Sequence, residues 1–153
     1  HELSFPTIWI WPNIDAGSDQ ISKALRVYRE YHEADWLHLI KNLDPVNFQK
    51  TLKRAACAVG NSSSFIRDST FSGTPVVLVG DRQLGREHGE NLISRAPNPD
   101  DILAAIRQQL ENGRYPPSGL YGDGKSSQRI VQKIKEFEPY SQKRLHYPFA
   151  YES

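Results

Sequence analysis

The stretch Ala56-Cys57-Ala58-Val59-Gly60-Asn61-Ser62-Ser63-Ser64, with the run Thr74-Pro75-Val76-Val77-Leu78-Val79 beyond it, decides the fold class of this chain. The first part is a short apolar run ended by Gly60, where the backbone can turn closely. A helix-compatible segment follows. Val76 to Val79 is aliphatic at every position, so both of its faces are apolar, which suits a central strand covered by helices. Strand, helix and strand in this order form a crossover unit, and such units build parallel sheets.

The flanking sequence repeats the alternation. Ser4 to Trp11 is a β-branched and aromatic run ended by Pro12. Gly17-Ser18 opens a helix that Ser18 can cap, and Ile21, Leu25 and Tyr28 recur at i, i+4 and i+7 on one face. Trp36 to Ile40 reads as a second short strand. Asp44-Pro45 opens a second helix, Asp at the cap and Pro in the first turn, with Phe48, Leu52 and Ala55 as its apolar face. Leu92-Ile93 is a weaker strand. Asn98-Pro99 starts a helix with Ile102, Ile106 and Leu110 on one side, stopped by Gly113, and Ser126 or Ser127 starts a last one through Ile130, Ile134 and Phe137. The expected fold is α/β, a Rossmann-like doubly wound parallel sheet with right-handed crossovers. The tail from Pro139, with Tyr140, Tyr147, Phe149 and Tyr151, is expected to pack along a surface or against a partner domain.

A length of 153 residues fits one domain, so residues 1–153 read as a single unit with residues 139–153 as its tail. With 38% hydrophobic and 24% charged residues, the chain is of the globular class. Lys plus Arg number 19 and Asp plus Glu 18, so net charge gives no reason to expect nucleic acid or an anionic membrane as partner. No apolar run approaches the ~20 residues of a membrane helix. The single Cys57 excludes an internal disulfide and a Cys-based zinc site, and among small apolar neighbours it reads as a buried hydrophobe. The histidines show no metal-ligand spacing, so no metal site is expected. The absence of Met suggests an excised piece of a larger protein, and the absence of a secretory signal makes the cytoplasm the expected location.

In an open α/β sheet, ligands bind beyond the carboxyl ends of the strands. Four loops meet that condition: Pro12 to Ser18, Asn42 to Asp44, Gly60 to Ser64, and Gly80 to Asn91. The third is the most informative. Ser62, Ser63 and Ser64 stand where a helix begins, and helix N-termini offer unpaired N–H groups and a positive dipole end. Such an end suits a phosphate or diphosphate. The alternative is plain helix capping, which serine does in any protein. There is no Walker loop and no Gly-x-Gly-x-x-Gly element, which disfavours dinucleotide binding.

The Gly80 to Asn91 loop carries three glycines and six ionisable groups after a strand that should be buried. Arg82 and Arg86 can grip phosphate oxygens as forks, and Glu87 and Glu90 can orient those arginines or touch sugar hydroxyls. The alternative is a solvated loop. Asn13 and Asp15 have short polar arms at another strand end, where a turn and helix cap also account for them.

Taken in order, Trp11-Pro12-Asn13-Ile14-Asp15-Ala16-Gly17-Ser18, Gly60-Asn61-Ser62-Ser63, Gly73-Thr74-Pro75-Val76, the Arg82-Gln83-x-Gly85-Arg86-Glu87-x-Gly89-Glu90-Asn91 run and Tyr121-Gly122-Asp123-Gly124 resemble the C-terminal half of UDP-N-acetylglucosamine 2-epimerases, most closely the hydrolysing branch. The resemblance covers most of the chain from Pro12 to about Ile134. It implies the nucleotide-holding domain of a glycosyltransferase-B-type two-domain enzyme. On this reading Asn13 lies near the substrate and the backbone around Leu43 meets the uracil. Ser62 and Ser63 hold the diphosphate. Asp68, where the family usually has Glu, binds the ribose hydroxyls directly or through water. Arg82 faces the phosphate or sugar.

The implied reaction converts UDP-N-acetylglucosamine to N-acetylmannosamine and UDP by elimination and water addition, in the supply of sialic acid or related sugars, and needs no metal or redox cofactor. The implied partners are the nucleotide sugar, the missing N-terminal domain and, in the full-length protein, further copies of itself. The acid/base groups belong to that missing half, so the chain alone is expected to be inactive while binding UDP weakly. The competing reading is the nucleotide-sugar-binding half of a glycosyltransferase.

Overall fold

A computed structural model describes residues 2–12 and 17–139 of the chain. In chain order the elements are β1 (Thr7–Ile10), α1 (Ser18–Tyr31), β2 (Leu37–Ile40), α2 (Pro45–Arg54), β3 (Ala58–Gly60), α3 (Ser64–Ser72), β4 (Val76–Val79), β5 (Leu92–Arg95), α4 (Pro99–Asn112) and α5 (Ser126–Glu136). Every strand pair is parallel. β1 pairs with β2 from Thr7↔Leu37 to Ile10↔Ile40, and β4 lies between β3 and β5, with Val76 opposite Ala58 on one side and Leu92 on the other. The fold is α/β and Rossmann-like. Its ladder bonds fall into two groups, β1-β2 and β3-β4-β5.

The second ladder carries the core. Val76 and Val77 are fully buried, as expected of a strand apolar on both faces. Leu52 from α2, Ile66 from α3, Ala58, Val76, Leu78 and Leu92 form one cluster, with Phe48 and Phe65 packed against it. The β1–β2 pair is less covered: Ile8 and Trp9 are 47% and 39% exposed. Proline at the entrance to α2 and α4 leaves no N–H to satisfy at that position. The remaining first-turn donors go to side chains: Asp44 accepts from the N–H groups of Val46 and Asn47, and Asn98 from those of Asp100 and Asp101.

The sequence reading needs adjustment at several places. α1 is preceded by Gly17 at φ +84, and no side chain caps it; Ser18 is its first residue rather than its cap. Its buried residues are Ser22 and Leu25, while Ile21 is 45% exposed, so the buried stripe is rotated toward the position next to Ile21. Ala55 is the extended residue that ends α2. The buried face of α4 is set by Ala105 and Gln109, with Ile102, Ile106 and Leu110 only half-buried beside them. α5 starts at Ser126 and buries none of its residues; Ile130, Ile134 and Phe137 lie exposed. The tail's Tyr140, Tyr147, Phe149 and Tyr151 lie outside the described residues.

Candidate functional site

Parallel pairing puts the carboxyl ends of β3, β4 and β5 at one edge. β3 ends at Gly60, φ +150, where a Cβ would come within 3.1 Å of the Phe65 ring. Asn61, Ser62 and Ser63 then lead into α3. Ser62, Ser63 and Ser64 are half-buried. The Ser62 hydroxyl accepts from the N–H of Ser64 at 3.3 Å, so one of the three serines does serve as a cap. The Ser62 carbonyl accepts from Phe65 N–H, and the Ser63 carbonyl from Ile66 and Arg67 N–H, each at 3.1 Å. Ser63 stands at the cap position, but its hydroxyl makes no cap bond. The N–H groups of Ser62 and Ser63 and the Ser63 hydroxyl have no acceptor among the described residues. They sit at the positive end of the α3 dipole, where an anion is favoured.

The β4–β5 loop answers the question its composition raised. Asp81, Arg82, Arg86, Glu87, His88 and Glu90 are all exposed, so water solvates most of the charge. Among the described residues the Arg86 guanidinium forms no ion pair with Glu87 or Glu90. The buried members are two neutral amides, Gln83 at 6% and Asn91 at 3% exposure. Gln83 Nε2 donates to the Asn61 carbonyl at 2.9 Å, which ties this loop to the β3–α3 loop. Asn91 Nδ2 donates to Ser69 Oγ at 3.0 Å and to the Thr74 carbonyl at 2.7 Å, and its Oδ1 accepts from the Thr70 hydroxyl. Two turns, Leu84 N–H to Asp81 and Arg86 N–H to Gln83, shape the loop, and Tyr121 donates its hydroxyl to the Glu87 carbonyl.

The structure therefore brings Ser62 and Ser63 together with the Arg82–Glu87 segment through the Asn61–Gln83 bond. Asp68 is half-buried on α3, one turn beyond Ser64 on the same face. Leu43 is half-buried just before the Asp44 cap, beyond the end of β2, and no hydrogen bond links it to the β3–α3 junction. Asn13 lies outside the described residues. Two shallow depressions, one along Arg29 to Asp35 and one between Trp11, Arg26 and Leu39, lie away from this junction. Among the described residues no three His, Cys, Asp or Glu side chains converge, and no helix is long and apolar enough to cross a membrane.

The N–H of Asn47 holds the Asp44 carboxyl below its ordinary value, and the N–H of Lys125, aided by Arg129, does the same for Asp123 in the Tyr121–Gly124 motif. Cys57 is half-buried rather than buried, and the desolvation it does have pushes its thiol up to about 11, which removes it from thiolate chemistry near neutral pH. Sequence reading missed Gln83, Asn91 and Gln109 as organising residues. The only local signal is at Gln109, a polar residue four positions after Ala105 and within an apolar helical stripe.

The sequence profile of the UDP-N-acetylglucosamine 2-epimerase family matches residues 1–135. A UDP-N,N'-diacetylbacillosamine 2-epimerase (hydrolyzing) of Legionella pneumophila is 33% identical over 135 residues, 88% of this chain and 35% of its own length. A UDP-N-acetylglucosamine 2-epimerase of Neisseria meningitidis is 30% identical over 137 residues, with the same shares. A GDP/UDP-N,N'-diacetylbacillosamine 2-epimerase (hydrolyzing) of Campylobacter jejuni is 35% identical over 91 residues, 58% of this chain and 23% of its own. The chain spans about a third of the length of the first two relatives.

Proposed function

The chain belongs to the UDP-N-acetylglucosamine 2-epimerase family, and from that premise we propose that it is the UDP-binding domain of a hydrolysing 2-epimerase. Residues 1–153 are then one nucleotide-sugar-binding domain that completes its site against the rest of a two-domain, oligomeric, cytoplasmic enzyme. The observation that carries this is the set of donors at the start of α3 without an acceptor among the described residues: the N–H groups of Ser62 and Ser63 and the Ser63 hydroxyl. They receive the diphosphate. Asp68, one turn along the same face, reaches the ribose hydroxyls. Leu43 borders the uracil, and Asn13 the sugar. Arg82 and Arg86 meet phosphate oxygens, with Glu87 on the sugar side.

The reaction proposed is the one that membership of the family implies. A base outside this chain takes the C2 proton. The bond from C1 to the diphosphate oxygen breaks, its electron pair leaves with UDP, and a C1=C2 double bond forms. Water then gives its oxygen to C1 while a proton returns to C2 from the opposite face. The products are UDP and the free 2-epimer, N-acetylmannosamine when the substrate is UDP-N-acetylglucosamine. Negative charge grows on the departing diphosphate, and donors already aimed at it stabilise that charge without reorganising. Because two of the relatives are named for UDP-N,N'-diacetylbacillosamine, that UDP-sugar belongs in the same test. Full-length protein is incubated with each UDP-sugar and the products separated. Release of UDP with a free 2-epimer, and no need for an acceptor, supports the reading. UDP release only when a sugar acceptor is present points to a glycosyltransferase.

A further inference from the structure

We propose that Gln83 is the positioning residue of the diphosphate edge: by holding the Asn61 carbonyl it aims the Ser62 N–H outward. This rests on the reading of that edge given above. The peptide joining Asn61 to Ser62 is one rigid plane, and no peptide in the described chain is cis. In a trans peptide the C=O and N–H point in opposite directions. Gln83 Nε2 donates to the Asn61 oxygen at 2.9 Å, so fixing that oxygen fixes the direction of the Ser62 N–H on the other side of the plane.

Burial shows what the amide is for. Gln83 is 6% exposed, and its Oε1 is buried with no hydrogen-bond partner among the described residues. A residue present only to fill space would be better apolar, since an unmade buried acceptor is costly. Turning the amide over would set Oε1 against the Asn61 oxygen, acceptor against acceptor, so the present orientation is the one that bonds. Gln83 also accepts, through its own carbonyl, the N–H of Arg86 at 3.2 Å. The side chain therefore couples the donors ahead of α3 to the loop that bears Arg82 and Arg86.

The test uses the chain with UDP as probe. Gln83→Met keeps the length and removes the donor. It is expected to weaken UDP binding about tenfold, the effect of roughly one lost hydrogen bond. In 15N-labelled chain the Ser62 amide resonance is expected to shift with UDP in the wild type and to stop responding in the variant. Wild-type UDP affinity within twofold in Gln83→Met, with the Ser62 amide still responding, overturns the inference and leaves the edge standing. No UDP binding by the wild-type chain fails the edge itself. Should Gln83→Met not fold, the wild-type Gln83 side-chain amide signals decide: they move with UDP alongside Ser62 if the coupling exists, and stay fixed while Ser62 moves if it does not.

Discussion

Asn91→Ala is expected to destabilise the chain by about 2–4 kcal/mol. The side chain is 3% exposed and makes three hydrogen bonds. Their losses are unequal. The hydroxyls of Ser69 and Thr70 keep their bonds to the carbonyls of Phe65 and Ile66. The Thr74 carbonyl keeps nothing: Thr74 is fully buried, and the Asn91 amide is that oxygen's partner. A buried carbonyl left without a donor costs about 1–3 kcal/mol, and the lost bond to Ser69 adds roughly 1 kcal/mol. For a domain of this size the sum corresponds to a fall in Tm of about 5–12 °C. Thermal unfolding followed by far-ultraviolet circular dichroism, with a urea titration at 25 °C, measures both. Asn91→Asp keeps the shape but faces the Thr74 oxygen with another acceptor, and should be destabilised comparably. A loss under about 1 kcal/mol in Asn91→Ala would refute the claim that this amide locks α3 to the end of the β4–β5 loop.

Gly73→Ala should be worse, above about 3 kcal/mol, because the residue sits at φ +67 and a Cβ would lie 2.0 Å from the Tyr115 carbonyl oxygen; a Tm within a few degrees of wild type would contradict the packing described. Asp44 and Asp123 are held below the ordinary carboxylate value, so the stability they add is complete above pH 3.8 and is lost as pH falls through their lower folded values. The stability gap between wild type and Asp44→Ala should therefore narrow below pH 3.8 in denaturant titrations, and a gap constant down to pH 2 speaks against it. Cys57, raised to about 11 by burial, should react slowly with a disulfide reagent at pH 8 in the folded chain and quickly in guanidinium. Its neutral form adds stability that is full below pH 9.0 and fades as pH rises toward about 11.

The parts of the fold that were legible in the sequence are those set by neighbours in the chain. Val76 to Val79 declares a covered strand because two apolar faces need two covers. Asp44-Pro45 and Asn98-Pro99 declare helix starts because cap and proline act within three residues, and the structure gives both caps their expected bonds. What the sequence hides is pairing at a distance. Gln109 donates to the carbonyls of Val76 and Asn91, and Gln83 reaches Asn61, across loops whose approach no local pattern encodes. In the same loop the six ionisable groups are exposed while the two buried side chains are uncharged amides, Gln83 and Asn91, a division that composition alone does not reveal. At the β3–α3 junction the serines were legible by type and place as residues of a helix start. That Ser62 spends its hydroxyl on Ser64 while Ser63 keeps its own is a property of the backbone turn.

Calorimetric titration of UDP into the wild-type chain and into Ser62→Ala/Ser63→Ala tests the central claim most directly. The account predicts a measurable wild-type affinity that falls by about 1–3 kcal/mol in the double variant, with the fold retained by circular dichroism. Equal affinities in the two proteins would place the nucleotide elsewhere.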